Sequence, residues 1–427
     1  MNRNATEEPT TVYQPIEGGG VTSPQGFYGA ATHVGFKKGG DRLDLALVLA
    51  DAACPCAAVF TKNVFSAAPV QVSREHLDGL SYGYARAIIL NSGNANAATG
   101  QPGIELARGL AALASKLLGC LPKEVLVAST GVIGVPMTLE PFEKGLSPLI
   151  GLASQEGGHS AACAIMTTDT RPKESALTYT SKDAAYAGRR FTVGGMAKGA
   201  GMIMPDMATL LAAITTDAPL CPELAYKALS EAVGKSFNKV TIDSDTSTND
   251  SCFLMASGKA AAAQDGFAAF REDSLAFAEF STALERVCVD LARQIAADGE
   301  GATRLVTVNL SGAADDADAD AAARAVANSP LVKTAVFGHD ANWGRIAMAL
   351  GKSGARFRQE DVTIGFLGIT VCRNGEAVGF DEEEAGRRFK APEIVIDVDL
   401  GAGSAATTLW TCDFTHDYIT INGDYRT

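Results

Sequence analysis

Apolar runs that break into loops of glycine, asparagine and hydroxyl residues recur along this chain, and they constrain its fold more than any other feature. In "ARAIILNSGNANAATG", residues 85–90 read as a buried strand opening into a glycine-asparagine loop, and "EVLVASTGVIG" repeats the design. Small and β-branched residues alternate in "DLALVLADAACPCAAVFT", which predicts paired strands, and "ATRLVTVNLSG", "EIVIDVDLG" and "YITING" read as later strands. Between them lie stretches with helical spacing. "GIELARGLAALASKLLG" ends in Gly119, a helix stop; residues 221–236 form another helix; a long one over "DSLAFAEFSTALERVCVDLARQIAADGEG" closes on Asp298-Gly299. The acids 315–320 suit the positive end of a helix dipole, or simply form a solvated face. The class is therefore mixed α/β. At 427 residues the chain exceeds the size of one hydrophobic core, so two lobes are expected. Residues 1–25 read as a loose arm.

Composition removes several function classes. A net charge of -13 argues against a nucleic-acid or anionic-membrane surface, which needs clustered Lys and Arg. The nine cysteines sit mostly alone in apolar settings and read as free thiols in a reducing compartment. Cys54-Pro-Cys56 is too tight for a zinc half-site and no second pair completes it. The N-terminal stretch has no apolar core for a signal peptide, and no run is long enough to span a membrane, so the expected compartment is the cytoplasm. The five histidines are scattered, with His339 read as structural, and no metal motif, P-loop or dinucleotide fingerprint is present. No metal or cofactor is implied.

An enzyme of this composition works with hydroxyls, backbone amides, lysine and carboxylates. Four hydroxyl-bearing loops, 91–100, 129–134, 167–170 and 243–251, are turn chemistry individually. Together they predict one polar pocket at the edge of a sheet. Thr209, in "GMIMPDMATLLAAITTDA", has two readings. It caps a buried helix beginning at "LLAAI". Or the chain breaks after Ala208, and the new α-amine serves as the base for the threonine hydroxyl.

"GGMAKGAGMIMPDMATLLAAITTDA" resembles the signature of the ornithine acetyltransferase family, also called glutamate N-acetyltransferase, of arginine biosynthesis. "EGGGVTSPQGF", "FTKNVFSAAPVQVS", "NSGNANAATG", "ASTGVIGVPM", "AIMTTDTRPK", "SFNKVTIDSDTSTNDS", "DGEGATRL", "SPLVKTAVFGHDANWGRI" and "YITINGDYRT" resemble further family motifs in family order. The resemblance implies layered sheets and helices like those of N-terminal-nucleophile hydrolases, with the family's own topology. It implies self-cleavage between Ala208 and Thr209 into an α chain, 1–208, and a β chain, 209–427, assembled as α2β2. It further implies ping-pong acetyl transfer from N2-acetylornithine to glutamate with Thr209 as nucleophile. Acetyl-CoA enters only as an alternative donor.

The family's oxyanion pair falls on Thr130 and Gly131, in what reads as the loop after "EVLVA". Its substrate contacts fall on Thr167, Lys198, Thr209, Glu300, Asn422 and Thr427. Lys198 is expected to face the α-carboxylate and Glu300 an ammonium; the alternative for both is a surface ion pair. Asp206 and Gly423 depart from the family's usual Asn and Ala. Rival readings are a self-processing amidase or aminopeptidase, an acyltransferase for another amine, and a non-catalytic binding protein.

Overall fold

The computed structural model describes residues 11–204, 210–261 and 268–424. The first lobe is a nine-stranded sheet: β1 (Tyr13–Pro15), β2 (Phe27–Thr32), β3 (Leu45–Phe60), β4 (Tyr82–Asn94), β5 (Val125–Val132), β6 (Lys173–Thr180), β7 (Arg190–Lys198), β8 (Leu211–Thr216) and β9 (Ser251–Ala256). Their order is β1-β6-β7-β8-β9-β3-β4-β5, with β2 paired to β3. The second lobe is a six-stranded sheet: β10 (Leu305–Ala313), β11 (Thr363–Phe366), β12 (Ile369–Arg373), β13 (Glu376–Ala377), β14 (Glu393–Asp399) and β15 (Ala405–Cys412), in the order β13-β12-β11-β14-β10-β15. The layered α/β architecture and the two lobes agree with expectation.

Helices cover the sheets according to their apolar faces. In the first lobe these are α1 (Ala68–His76), α2 (Gly100–Leu118), α3 (Glu140–Gly151), α4 (Gly158–Ile165), α5 (Pro222–Lys235) and α6 (Leu275–Ala297). Helices α5 and α6 bury Leu229, Val233, Phe280 and Leu291 against Val193, Ile214 and Leu254 of the central strands. On the opposite face α4 places Ala161, Ala162 and Ile165 over Met196, Ala213 and Phe253. In the second lobe α7 (Asp316–Ala327), α8 (Pro330–Phe337) and α9 (Trp343–Gly351) stand on one face of the sheet, and the short α10 (Glu382–Arg388) precedes β14. A last helix, α11 (His416–Asp424), returns to the junction.

Helix α6 ties the lobes together. The hydroxyl of its cap Ser274 accepts from the Phe277 N–H, and its stripe Phe277, Phe280, Leu284, Val287, Leu291 and Ile295 repeats every three or four residues. Its cluster also takes in Leu305, Trp410 and Cys412 of the second sheet. Each such buried side chain contributes roughly 1.5–3 kcal/mol.

Four expectations are corrected. The run after Leu210 is strand β8, not a helix, so no helix follows Thr209 for it to cap. Leu211 and Ala213 face one core, Ala212 and Ile214 the other. A short run buried on both faces carries no period that separates strand from helix, and hydrogen bonding to β7 and β9 decides for strand. The segment "YITING" is helix α11, not a strand. Tyr418 stacks on Phe414 at 4.7 Å between ring centroids, and Asn422 donates to the Tyr418 carbonyl one turn back, while Ile419 is 72% exposed. The strand-like alternation there meets no sheet. The stretch 45–60 is one strand; one edge serves first β2 and then β9, with a register shift between Leu49 and Cys54 on its β4 edge. From residue 11 onward the N-terminal arm is fastened: β1 pairs with β6 and Val21 is fully buried.

All nine cysteines are free thiols. Among the described residues no helix is long and apolar enough to cross a membrane, and no cluster of His, Cys, Asp and Glu is arranged to hold a metal ion.

Candidate active site

The four hydroxyl loops converge on one cavity of about 350 Å³. Ala95 comes from the first, Thr130, Gly131 and Ile133 from the second, Thr167 and Thr168 from the third, and residues 243 and 245–249 from the fourth. Lys198 at the end of β7, Glu300 in the loop between α6 and β10, and Tyr418 and Asn422 of α11 complete the wall. Six of the residues named by resemblance, Thr130, Gly131, Thr167, Lys198, Glu300 and Asn422, thus share this wall. Asp206, Ala208, Thr209 and Thr427 lie outside the described residues.

Thr130 and Gly131 belong to the last residues of β5 rather than to a following loop, paired with Ser92 and Gly93 of β4. The strand holds both rigidly. Gly131 has φ +128°, and a Cβ there would lie 2.4 Å from the Gly93 carbonyl carbon. Only glycine lets the two backbones approach so closely. Gly131→Ala is therefore expected to lower stability by about 2 kcal/mol or more, read as a shift in the midpoint of urea unfolding. An unshifted midpoint would show that β4 and β5 separate freely.

Lys198 and Glu300 are buried, 3% and 7% exposed, so the surface ion-pair alternative is wrong for both. The Lys198 Nζ lies 3.5 Å from Thr130 Oγ1 and 4.0 Å from Asp169 Oδ2. Burial pushes its pKa down, and the facing Asp169 carboxylate opposes that. Glu300 receives the Asn422 Nδ2–H at 2.7 Å, and its own N–H donates to the Ala200 carbonyl. A Cβ at Gly201 would fall 2.4 Å from the Glu300 carboxylate, so this glycine makes room for it.

Behind the cavity wall lies a buried charge network. Asp169 accepts from the Thr167 N–H at 2.9 Å, the Gly199 N–H at 2.7 Å and Lys173 Nζ at 2.6 Å. Lys173 also reaches Asp298 at 2.6 Å, and Asp298 accepts from the backbone and hydroxyl of Thr170. One network thus fixes Thr167, the backbone beside Lys198, and the chain just before Glu300. Burial alone would raise the Asp169 carboxyl, but Lys198 and Lys173 outweigh it and hold the pKa well below the usual range. Lys173 is shared by two carboxylates behind the wall; on the wall itself, among the described residues, Lys198 is the cation, and Glu300, Asp243 and Asp245 are the carboxylates. A cation and an anion, with hydroxyl and amide groups between them, suit a small zwitterion.

Sequence reasoning missed several contributors. Asp243 accepts the N–H groups of Met202 at 2.5 Å and Ile203 at 2.8 Å, and Met202 adopts φ +57°. Asp243 therefore clamps the turn leading to residue 204, and burial raises its carboxyl. Asn249 donates to the carbonyls of Ala95 at 2.6 Å and Ser129 at 2.8 Å, stapling three of the hydroxyl loops. Asp169, Asp243 and Asn249 all stood inside loops read only as turn chemistry. The available signal was a carboxylate or amide next to apolar runs, where water is scarce. Tyr418 was hidden by the strand reading of "YITING".

The model of the ArgJ family matches residues 28–427. An arginine biosynthesis bifunctional protein ArgJ from Symbiobacterium thermophilum is 45% identical over 410 residues, covering 96% of this chain and 99% of that one. Another, from Geobacter sulfurreducens, is 45% identical over 404 residues, covering 94% and 99%. Among solved structures, ornithine acetyltransferase complexed with ornithine from Mycobacterium tuberculosis is 36% identical with a TM-score of 0.40, covering 47% of this chain and 100% of that chain. Family motifs along nearly the whole sequence, the six residues gathered around one cavity, and identity of this extent lead to one conclusion: the chain belongs to the ArgJ family.

Proposed function

We propose that this protein moves an acetyl group from N2-acetylornithine to glutamate through an acetyl-threonine on Thr209, after cutting itself between Ala208 and Thr209. The observation that carries the reading is the buried Lys198 and Glu300 pair on the wall of one hydroxyl-lined cavity, in a chain of this family. Lys198 takes the α-carboxylate of either substrate. Glu300, oriented by Asn422, takes the side-chain ammonium of acetylornithine. The Thr209 hydroxyl attacks the acetyl carbonyl, its proton passing to the α-amine of the same residue. Thr130 and Gly131 stabilise the oxyanion, ornithine leaves with the proton, and glutamate takes the acetyl group in the reverse sequence. Thr167 and Thr427 complete the substrate contacts.

Strand pairing supports durable association of the two proposed chains. Strand β7 precedes the cut and β8 follows it, and the two are hydrogen-bonded neighbours from Val193↔Thr216 to Lys198↔Leu211. A cut between them leaves both chains in one sheet, with α2β2 as the assembly to test. The boundary between lobes falls near residue 300 instead, so the cut divides the chain chemically without dividing its cores. Acetyl-CoA as a second donor belongs to the same proposal.

The test is the intact mass under denaturing conditions, N-terminal sequencing of the fragment, and an acetylornithine-plus-glutamate assay. Two chains, one beginning Thr-Leu-Leu-Ala-Ala, together with glutamate-dependent transfer, support the reading. A stable uncut chain, or release of acetate to water alone, overturns it. Glu300→Gln adds a sharper check. Loss of one charge-assisted contact is expected to raise KM for acetylornithine about 10–100-fold, with KM for glutamate changed far less. Equal increases for both substrates would remove the ammonium from Glu300.

A further inference from the structure

Acetyl exchange between two amino acids at one site sets a problem that Lys198 and Glu300 do not solve together. Acetylornithine and glutamate share an α-carboxylate, but their side chains end in opposite charges, an ammonium and a carboxylate. Glu300 suits the first and repels the second. Among the described residues of the wall Lys198 is the cation, and it serves the shared α-carboxylate. The glutamate side chain therefore needs a neutral donor near Glu300, one that an ammonium can also sit beside.

Tyr418 stands at that end of the cavity. It shares the wall with Glu300 and lies one turn before Asn422 on α11. Asn422 donates both to the Glu300 carboxylate at 2.7 Å and to the Tyr418 carbonyl at 3.1 Å. The start of α11 is pressed against the chain beside Glu300: Gly301 has φ +70°, and a Cβ on it would lie 2.6 Å from the Tyr418 nitrogen. The ring is braced from behind. Phe414 stacks on it at 4.7 Å between centroids, the Lys333 Nζ lies 4.4 Å from the Phe414 ring centroid, and the Lys333 carbonyl accepts the Phe414 N–H at 3.3 Å. Burial, then the charges of Asp243, Glu300 and Asp245, hold the phenol above the usual tyrosine pKa. It therefore keeps its proton, and among the described residues its hydroxyl has no hydrogen-bond partner. Such a group donates through its proton and accepts through its oxygen.

We propose that Tyr418 determines specificity for both substrates: its hydroxyl donates to the side-chain carboxylate of glutamate, and its oxygen accepts from the ammonium that Glu300 holds in acetylornithine. This rests on the reading given under Proposed function. A lysine or arginine in this place would hold the carboxylate and expel the ammonium. A phenol changes role by rotating one O–H bond. The two side chains thus alternate beside Glu300 without a charged group of the protein having to move.

Tyr418→Phe removes the hydroxyl and keeps the ring and its stack. In a two-step exchange kcat/KM for each substrate reports on its own half-reaction. In the full-length protein, kcat/KM for glutamate is expected to fall about 10-fold or more, the effect of one hydrogen bond to a charged group, and that for acetylornithine to change less than about twofold, because Glu300 remains. This selectivity is opposite to that expected of Glu300→Gln. A merely structural role would loosen α11, and Asn422 and Glu300 with it, and would lower both values together. A fall for glutamate no larger than that for acetylornithine overturns the proposal and leaves the reading of the reaction standing. If the wild-type protein shows no glutamate-dependent transfer, that reading fails and the role of Tyr418 falls with it. Thermal melting checks folding. Should Tyr418→Phe not fold, para-fluorophenylalanine placed at position 418 removes the donor in nearly the same volume and is judged by the same criterion.

Discussion

Thr209→Ala is expected to remain one unbroken chain of 427 residues and to lose acetyl transfer by a factor on the order of 10⁴ or more. Both losses share a cause. The hydroxyl removed is the nucleophile of the proposed cut and, once the α-amine is free, of the acetyl transfer. Thr209→Ser keeps a hydroxyl and is expected to split and retain measurable transfer. The readouts are intact mass, and the mass of the fragment after incubation with acetylornithine alone, where wild type gains one acetyl group on Thr209. A Thr209→Ala chain that still splits, or still transfers at a wild-type rate, would move the chemistry to another residue.

Lys173→Met is expected to destabilise the protein by about 3–5 kcal/mol at neutral pH, because it leaves Asp169 and Asp298 buried without their shared ammonium. The pH dependence has a definite sign. The folded-state pKa of Asp169 is depressed, so its contribution is present above the unfolded carboxylate value and is lost as pH falls below about 4. In the variant much of that depression is gone. The stability gap between wild type and variant should therefore narrow on acidification below about pH 4, as measured by urea unfolding across pH. A gap that stays constant would mean Lys173 acts through its alkyl packing instead. Because Asp169 also holds the Thr167 N–H and the Gly199 N–H, the same variant should raise KM for both substrates.

Much of the architecture was legible from local pattern. Helix α2 ends at Gly119 in the left-handed conformation, φ 65°, as its sequence predicted, and α6 runs from its Ser274 cap to Asp298. These are long amphipathic segments with chemical stop signals, where local and tertiary preferences agree. The failures are short segments. Residues 211–216 lie between two layers and show no polar face, so only their hydrogen-bond partners in β7 and β9 made them a strand. Residues 418–423 carry β-branched side chains, yet the stacking of Tyr418 on Phe414 and the Asn422 contact to Glu300 fix a helical turn.

The sequence by itself determined the class of fold, the helices with clear ends, the hydroxyl loops as a group, and the family through its motifs. Those properties are written in residue type and spacing along a few consecutive turns. Tertiary structure alone decided that four loops distant in sequence share one cavity, and that Lys198 and Glu300 are buried rather than paired at the surface. It also decided that Asp169, Lys173 and Asp298 form one network. Burial and charge pairing depend on what the fold brings within a few ångströms, and one carboxylate in a polar loop reads the same along the chain whether water or a lysine will face it.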